Sequence, residues 1–358
     1  MNISKIAKLG VASLVTGILT GMATADETTW LDDTRADEIR GLIHDVLADA
    51  DSRASFQGRR ANSPVSVNVH GFAQTRWAYN HNATEGVDNT HGFSVPRVRL
   101  IVSGDIYDWK YKISGQWGDG SDFELKDAYT DYSGLRIGQF KSPFMKEVLT
   151  PQTDTLAIER SVISNQFGQG RSQGIQYSRD IGFATATVAY TDGFNSANGA
   201  GVANAYSLTG RVDADVTNWL NFGVAGSYNN LDTISYNTWT VDATATYGDL
   251  EFSGAYVATS GDFVGNDWGT VWTGAYNFTD DVQGFVQYEN GHLEGVDTDL
   301  SIATVGVNYA VNDNIKWTTD FGKSFNGIDA GWDLGDTGWN STTEDGEYLI
   351  RTQLQITF

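Results

Sequence analysis

The chain has 358 residues, and its 23 Lys and Arg against 45 Asp and Glu give a net charge of −22, which argues against a nucleic-acid partner. It carries 40 Gly, 17 Phe, 16 Tyr and 11 Trp but 4 Pro and no Cys, so disulfide and thiolate chemistry are excluded, and a chain of this length needs neither to bury a core. No segment beyond the N-terminal region approaches the roughly 18 apolar residues of a membrane helix, which excludes a helical membrane protein but not a barrel, whose strands expose only alternate side chains to lipid.

Lys5 and Lys8 precede an apolar stretch from Leu9 to Met22 and then Ala23-Thr24-Ala25, the small-x-small pattern of an export signal cleaved before Asp26. Gly10, Thr16, Thr20 and Gly21 interrupt the stretch, so residues 1–25 are expected to be a signal peptide rather than an anchor. Residues 26–64 are expected to hold one short periplasmic helix and a polar linker. Ile39, Leu42, Ile43, Val46 and Leu47 recur at three- and four-residue steps, opposite Asp37, Glu38, Arg40, Asp45 and Asp49. Such a stripe packs against its own domain or a neighbouring chain, with a pore plug as the alternative.

From Val65 the period changes to two and stays there. Trp239, Val241, Ala243, Ala245 and Tyr247 alternate with Thr240, Asp242, Thr244 and Thr246, the pattern of a strand with one apolar and one wetted face. Lys110 to Trp117 and Ile315 to Phe321 repeat it. Strands are predicted at 65–79, 92–106, 109–118, 124–132, 135–140, 173–178, 182–192 and 204–215. Eight more follow at 220–229, 238–247, 250–260, 267–277, 282–290, 300–310, 315–324 and 348–358. The fold class is therefore all-β, a transmembrane antiparallel barrel of about 16 strands over residues 65–358.

Connection lengths support this reading. Ser133-Gly134, Gly248-Asp249, Thr279-Asp280-Asp281 and Asn312-Asp313-Asn314 are tight polar turns after even-numbered strands. The intervening connections are longer: Asn80 to His91, Gly193 to Ala203, Gly291 to Asp299 and Phe325 to Glu347. Short inner turns alternating with longer outer loops are a property of outer-membrane barrels. Trp77, Tyr107, Trp109, Tyr129, Tyr132, Trp219 and Tyr247 fall near strand ends, where they are expected to form aromatic girdles. The last strand alternates and ends on Phe358, which resembles the signal read by the barrel-assembly machinery of bacterial outer membranes.

The longest early connection is 141–172, and a loop of this length inside a compact domain is usually functional. Basic residues concentrate around it: residues 65–178 hold 11 Lys and Arg against 12 Asp and Glu, whereas residues 179–358 hold 5 against 24. If Val98, Leu100 and Val102 face lipid, Arg97 and Arg99 face the lumen, and by the same parity so do Lys110, Lys112 and Arg136. With Arg76 and Lys126 they form the expected pore lining, and Lys141, Lys146, Glu159, Arg160 and Arg171 the charged groups of the constriction loop. A column of cations offers passing inorganic anions successive weak sites. The alternative is a balanced wall network with Asp105, Asp127, Asp131, Glu147 and Glu159.

Phe93-Ser94-Val95-Pro96-Arg97-Val98-Arg99-Leu100, Trp109-Lys110-Tyr111-Lys112, Leu125-Lys126-Asp127-Ala128-Tyr129, Ile137 to Phe144 and Ile158-Glu159-Arg160-Ser161 resemble the successive motifs of the phosphate-selective porin O and P family. The resemblance implies a homotrimeric outer-membrane channel of a Gram-negative-type bacterium, passing small hydrophilic solutes and guiding anions with inward Arg and Lys. It implies too that the third external loop narrows the lumen. It departs at Pro96, where the family often carries a further Arg, so the preferred anion is left open.

Enzymatic chemistry finds no support. His44, His70, His81, His91 and His292 form no catalytic or metal-spaced cluster, and no cofactor motif is present. The Gly168-x-Gly170-x-x-x-Gly174 run has the wrong spacing for a dinucleotide site and reads as turn chemistry. Asp297, Asp299, Asp329, Asp333, Asp336, Glu344, Asp345 and Glu347 make the late loops acidic. They are expected to be solvated surface, with bridging of divalent ions to lipopolysaccharide as the alternative. The rival to a channel is a non-conducting structural or adhesive barrel.

Overall fold

A computed structural model of the chain describes residues 65–84, 87–118, 121–199, 204–261, 265–341 and 346–358. The expected signal peptide, N-terminal helix and linker lie outside the described residues, as do Glu344 and Asp345. The strands are β1 (Asn68–Thr84), β2 (Val87–Ile106), β3 (Trp109–Gly118), β4 (Ser121–Tyr132), β5 (Leu135–Lys141), β6 (Arg171–Ile181), β7 (Ala184–Thr191) and β8 (Ala205–Thr217). They continue as β9 (Leu220–Leu231), β10 (Ser235–Tyr247), β11 (Leu250–Ser260), β12 (Trp268–Asn277), β13 (Val282–Leu293), β14 (Thr298–Asn312), β15 (Ile315–Ser324) and β16 (Tyr348–Thr357).

Each strand pairs antiparallel with its sequence neighbours, and β1 pairs with β16 from Phe72↔Thr357 to His81↔Tyr348, so the 16 strands close into a barrel. Closure leaves no unpaired edge, the condition for crossing a bilayer with strands. Just past β16, Gly71 and Phe358 exchange backbone hydrogen bonds of 2.8 and 3.0 Å across this seam.

The alternation read from sequence is present, and it is inverted relative to a water-soluble sheet. On β10, Thr238, Thr240 and Asp242 are buried while Trp239 is exposed. On β13, Gln287 and Glu289 are buried while Val286 and Tyr288 are exposed. Polar groups line the inside and apolar groups the outside, which is stable only where the outside meets hydrocarbon. At the turn side, Trp109 stacks on Tyr132 with ring centroids 4.9 Å apart, and Tyr107, Trp219 and Tyr247 are exposed, consistent with an interfacial belt. Tyr129 departs from that expectation, because its ring lies 4.1 Å under the Arg136 guanidinium on the inner face.

Turn chemistry fixes the short side. Ser133 and Gly134 both take positive φ, 50° and 88°, as a two-residue hairpin turn matched to strand twist requires. Pro96 is accommodated because the register slips between Gln74↔Arg97 and Arg76↔Ser94, so Pro96 falls in a bulge where no ladder donor is needed.

The long side differs from expectation. The segment 80–91, expected to be a loop, is mostly paired strand: Tyr79 faces His91 and His81 faces Asn89 across a β1–β2 hairpin. The connection expected at 291–299 shrinks to 294–297. Both hairpins are long enough to rise past the bilayer, where polar residues on paired strands look like loop sequence. The third external loop, L3, spans 142–170, since Lys141 and Arg171 pair across β5 and β6 and close the ladder beneath it. The eighth, L8 (residues 325–347), is not the solvated surface loop that was expected. Ile328, Trp332 and Trp339 are buried, as is Glu347, while Asp297, Asp299, Asp329, Asp333 and Asp336 remain exposed. Its apolar residues reach a core built by L3, which draws L8 into the barrel mouth.

Candidate functional site

L3 enters the lumen and is fastened to the wall all round. Its second helix, α2 (Val162–Phe167; α1 is Lys146–Leu149), starts at Ser161, whose hydroxyl accepts from Ser164 N at 3.0 Å. The Glu289 carboxylate on β13 accepts from Val162 N at 2.7 Å, satisfying another free N-terminal amide. Val162, Ile163 and Phe167 pack with Val257, Val271, Leu293, Leu300 and Ile302 of the inner wall and with Ile328, Trp332 and Trp339 of L8. Lys316 donates to Thr153 O at 2.6 Å, Asn308 to Leu156 O at 3.1 Å, and Lys146 to Asn221 at 2.7 Å and Thr244 at 2.9 Å. L3 therefore fills the β9–β14 side of the barrel with apolar side chains.

On the other side one carboxylate takes two guanidiniums. Glu159 accepts from Arg97 through both oxygens at 2.7 Å and from Arg76 Nη2, and all three side chains are buried. Burial alone would push the Glu159 carboxyl up, but Arg97 and Arg76 together hold it below the ordinary range, so it stays ionised. Arg76 and Arg97, expected in the pore lining, are thus committed to anchoring L3.

The remaining basic residues gather around two cavities. One of about 630 Å³, towards the turn side, is lined by His70, Phe72, Arg99, Lys112, Asp127, Arg136, Lys141, Arg171 and Arg211 among others. The second, of about 300 Å³ between L3 and L8, is lined by Arg97, Lys141, Glu159, Arg160, Arg171, Asp333 and Asp336 among others. Lys141 and Arg171 border both, so they stand where the two spaces approach each other.

The cations fall into two groups. Arg171 pairs with Asp127 at 2.8 Å, Lys112 with Asp127 at 3.3 Å, and Arg136 with Asp131 at 2.7 Å. Arg99, Lys141 and Arg160 have no carboxylate within ion-pair distance among the described residues. Lys141 donates to the carbonyls of Val148, Leu149 and Thr150 at 2.6 to 3.3 Å, and Arg160 to those of Glu147 and Thr150 at 2.9 and 2.7 Å. Arg99 donates to Gln116 and lies 5.3 Å over the Phe72 ring, and its buried Nε has no acceptor.

Two expected lining residues and one of the constriction loop stand apart. Lys110 is exposed near the turn side; Lys126 occupies a bulge between Ser114↔Asp127 and Gly115↔Leu125 and pairs with Glu124 at 2.5 Å; Lys146, on α1 of L3, lines the cavity on the loop's far side. Sequence reasoning missed Arg211, which pairs with Asp213 and Asp242 and donates to Phe144 O at 2.5 Å, and Arg351, which pairs with Asp320 at 2.7 Å. Strand parity places both inside, since Val212 and Ile350 beside them are exposed. Behind L3, a cavity of about 200 Å³ is lined by Glu147, Asp154, Asp242 and Glu251 with Lys146.

Residues 67–239 match the model of the family described as phosphate-selective porin O and P. No curated protein matches the chain. An anion-selective porin from Comamonas acidovorans superposes with a TM-score of 0.64 at 15% identity, over 82% of this chain and 100% of that one. OmpF of Salmonella typhi, solved with daunomycin, gives 0.63 at 12% identity over 82% and 97%, and OmpT of Vibrio cholerae in a trimer form 0.60 at 14% over 82% and 99%. At these identities the solved structures establish the barrel fold.

Proposed function

We propose that this outer-membrane channel, whose residues 67–239 match the model of the phosphate-selective porin O and P family, prefers small anions. The observation that carries the reading is the set Arg99, Lys141 and Arg160, three cations without a carboxylate partner among the described residues, spread over two cavities that Lys141 and Arg171 both border. Lys112, Arg136, Arg171 and Arg211 stand beside them in the lining already paired with carboxylates, Lys112 and Arg171 sharing Asp127.

In such a lumen an anion leaving bulk water exchanges hydration for guanidinium and ammonium donors already held in place by carbonyls, so little reorganisation opposes its passage. Because each site is shared with water, binding stays weak enough for release. Arg favours planar or tetrahedral oxyanions through paired donors, which makes phosphate and carboxylates the expected solutes. Three copies are expected to assemble, as the trimer form of the Vibrio cholerae neighbour suggests, with Phe358 at the closing seam available to the barrel-assembly machinery and the exposed acidic loops facing lipopolysaccharide.

Purified protein in a planar bilayer tests the reading. Stepwise conductance with a reversal potential of anionic sign in a KCl gradient, reduced by added phosphate, is expected. Cation selectivity without inhibition by phosphate would overturn the anion preference, and absence of conductance would favour a structural barrel.

A further inference from the structure

L8 carries a short 3-10 turn, Gly335–Thr337, that is held from several sides. Arg351 donates to Thr337 O at 2.5 Å from the wall, Trp339 is buried just beyond, and Asp333 N donates to Gln166 of α2 at 2.7 Å. Gly335 takes φ +31°, and a Cβ there would meet Asn165 at 2.8 Å, so the turn sits directly against L3. This frame places Asp336 Oδ2 3.1 Å from Arg97 Nη2.

Charge in that cluster does not balance through L3 alone. Arg76 and Arg97 are two buried cations, and Glu159 is one buried carboxylate. Asp336 supplies the missing negative charge, yet its side chain is 77% exposed while that of Arg97 is 6% exposed. The neutralising group therefore stands in the water of the outer cavity, the space a solute must cross, with Asp333 lining the same space.

We propose that Asp336 is a selectivity-determining residue: a tethered carboxylate that occupies on Arg97 the position an incoming anion would take. An anion must compete with Asp336 for the guanidinium, whereas a cation is drawn to it. L8 thus screens part of the positive field that L3 and the early strands present, and the outer entrance admits both signs while the deeper cavity selects. Glu159 borders the same cavity, but its side chain is only 4% exposed and Arg97 takes both of its oxygens, so Asp336 is the carboxylate of the cluster that stands in water.

The direction of the effect follows from charge alone; only its consequence for transport rests on the anion-preferring reading. Asp336→Asn keeps an oxygen that accepts from Arg97 and removes the charge, so a merely structural tether is preserved. Bilayer reversal potentials of the full chain are compared with those of Asp336→Asn and of Asp329→Asn, an exposed carboxylate of the same loop that lines neither cavity. The expected result is about a threefold rise in the anion-to-cation permeability ratio for Asp336→Asn and no change for Asp329→Asn. Asp336→Ser repeats the measurement if the Asn variant does not fold, as judged by heat-dependent gel migration. Equal ratios for the wild type and a folded, uncharged variant overturn the proposal. A cation-preferring wild type would remove the anion reading, and a shift on neutralising Asp336 would still establish the screening role.

Discussion

Arg97 and Arg99 lie two residues apart on one face of β2 and have opposite fates. Arg97 is locked between Glu159 and Asp336, whereas Arg99 faces the inner cavity with only Gln116 and the Phe72 ring as partners. Strand parity gives both the same direction; the difference comes from what the loops bring opposite each. Arg99 therefore supplies net positive potential to the water, and Arg97 supplies none beyond what Asp336 leaves over. In a water-filled lumen one unit charge a few ångströms from a passing ion is worth about 1 kcal/mol, or about fivefold in partition. Arg99→Gln is expected to lower the anion-to-cation permeability ratio by roughly that factor with the barrel intact. Reversal potentials beside an unchanged circular dichroism spectrum check it, and an unaltered ratio would mean that Arg99 is not on the path.

At the level of elements, L3 and L8 hold each other, and their junction has a titratable part. Glu347 ends L8, where its Oε1 accepts from Asn80 at 3.2 Å and its Oε2 is buried without a partner. Burial, partly offset by the bonds from Asn80 and Asn340, pushes the Glu347 carboxyl up from 4.5 to about 7. For an acid whose folded value is raised, the contribution to docking is fully present below the ordinary value and is lost as pH rises through about 7. Protection factors for amide exchange, each taken against the intrinsic rate at the same pH, are expected to be higher across Gly338 to Asn340 at pH 6 than at pH 8.5, and Glu347→Gln is expected to abolish the difference. Equal protection factors in the wild type at both values would show that the loop base does not sense this proton. The docking of L8 was not legible in the sequence, because Ile328, Trp332 and Trp339 are spaced singly among Gly and Asp and show no period. The strands were legible because period two is imposed by the bilayer on every one of them. L3 was legible from its length and motif, but its division of labour was not: Glu159 gave no sign of choosing Arg76 and Arg97 over Lys110, which is equally parity-matched.

For the whole molecule, the puzzle is how a chain of net charge −22 can present a basic water path. L3 resolves it by being asymmetric. Its apolar side packs on β11–β14, where the acidic second half of the chain forms the wall, and its charged side faces β1–β6, where the cations are. Glu289 is consumed in capping α2, Asp242 by Arg211 and Asp320 by Arg351, so the inner acids of that half serve to hold loops and to neutralise wall arginines. The cavity left behind L3 is lined by Asp242 and Glu251, and neither Lys141 nor Arg171 borders it. Glu251 lines neither of the two cavities around which the cations gather, so L3 stands between its charge and theirs. Glu251→Gln is therefore expected to leave the reversal potential within experimental scatter while Arg99→Gln moves it. A shift of comparable size from Glu251→Gln would mean that both sides of L3 conduct, and that selectivity is set by the sum of an anionic and a cationic path.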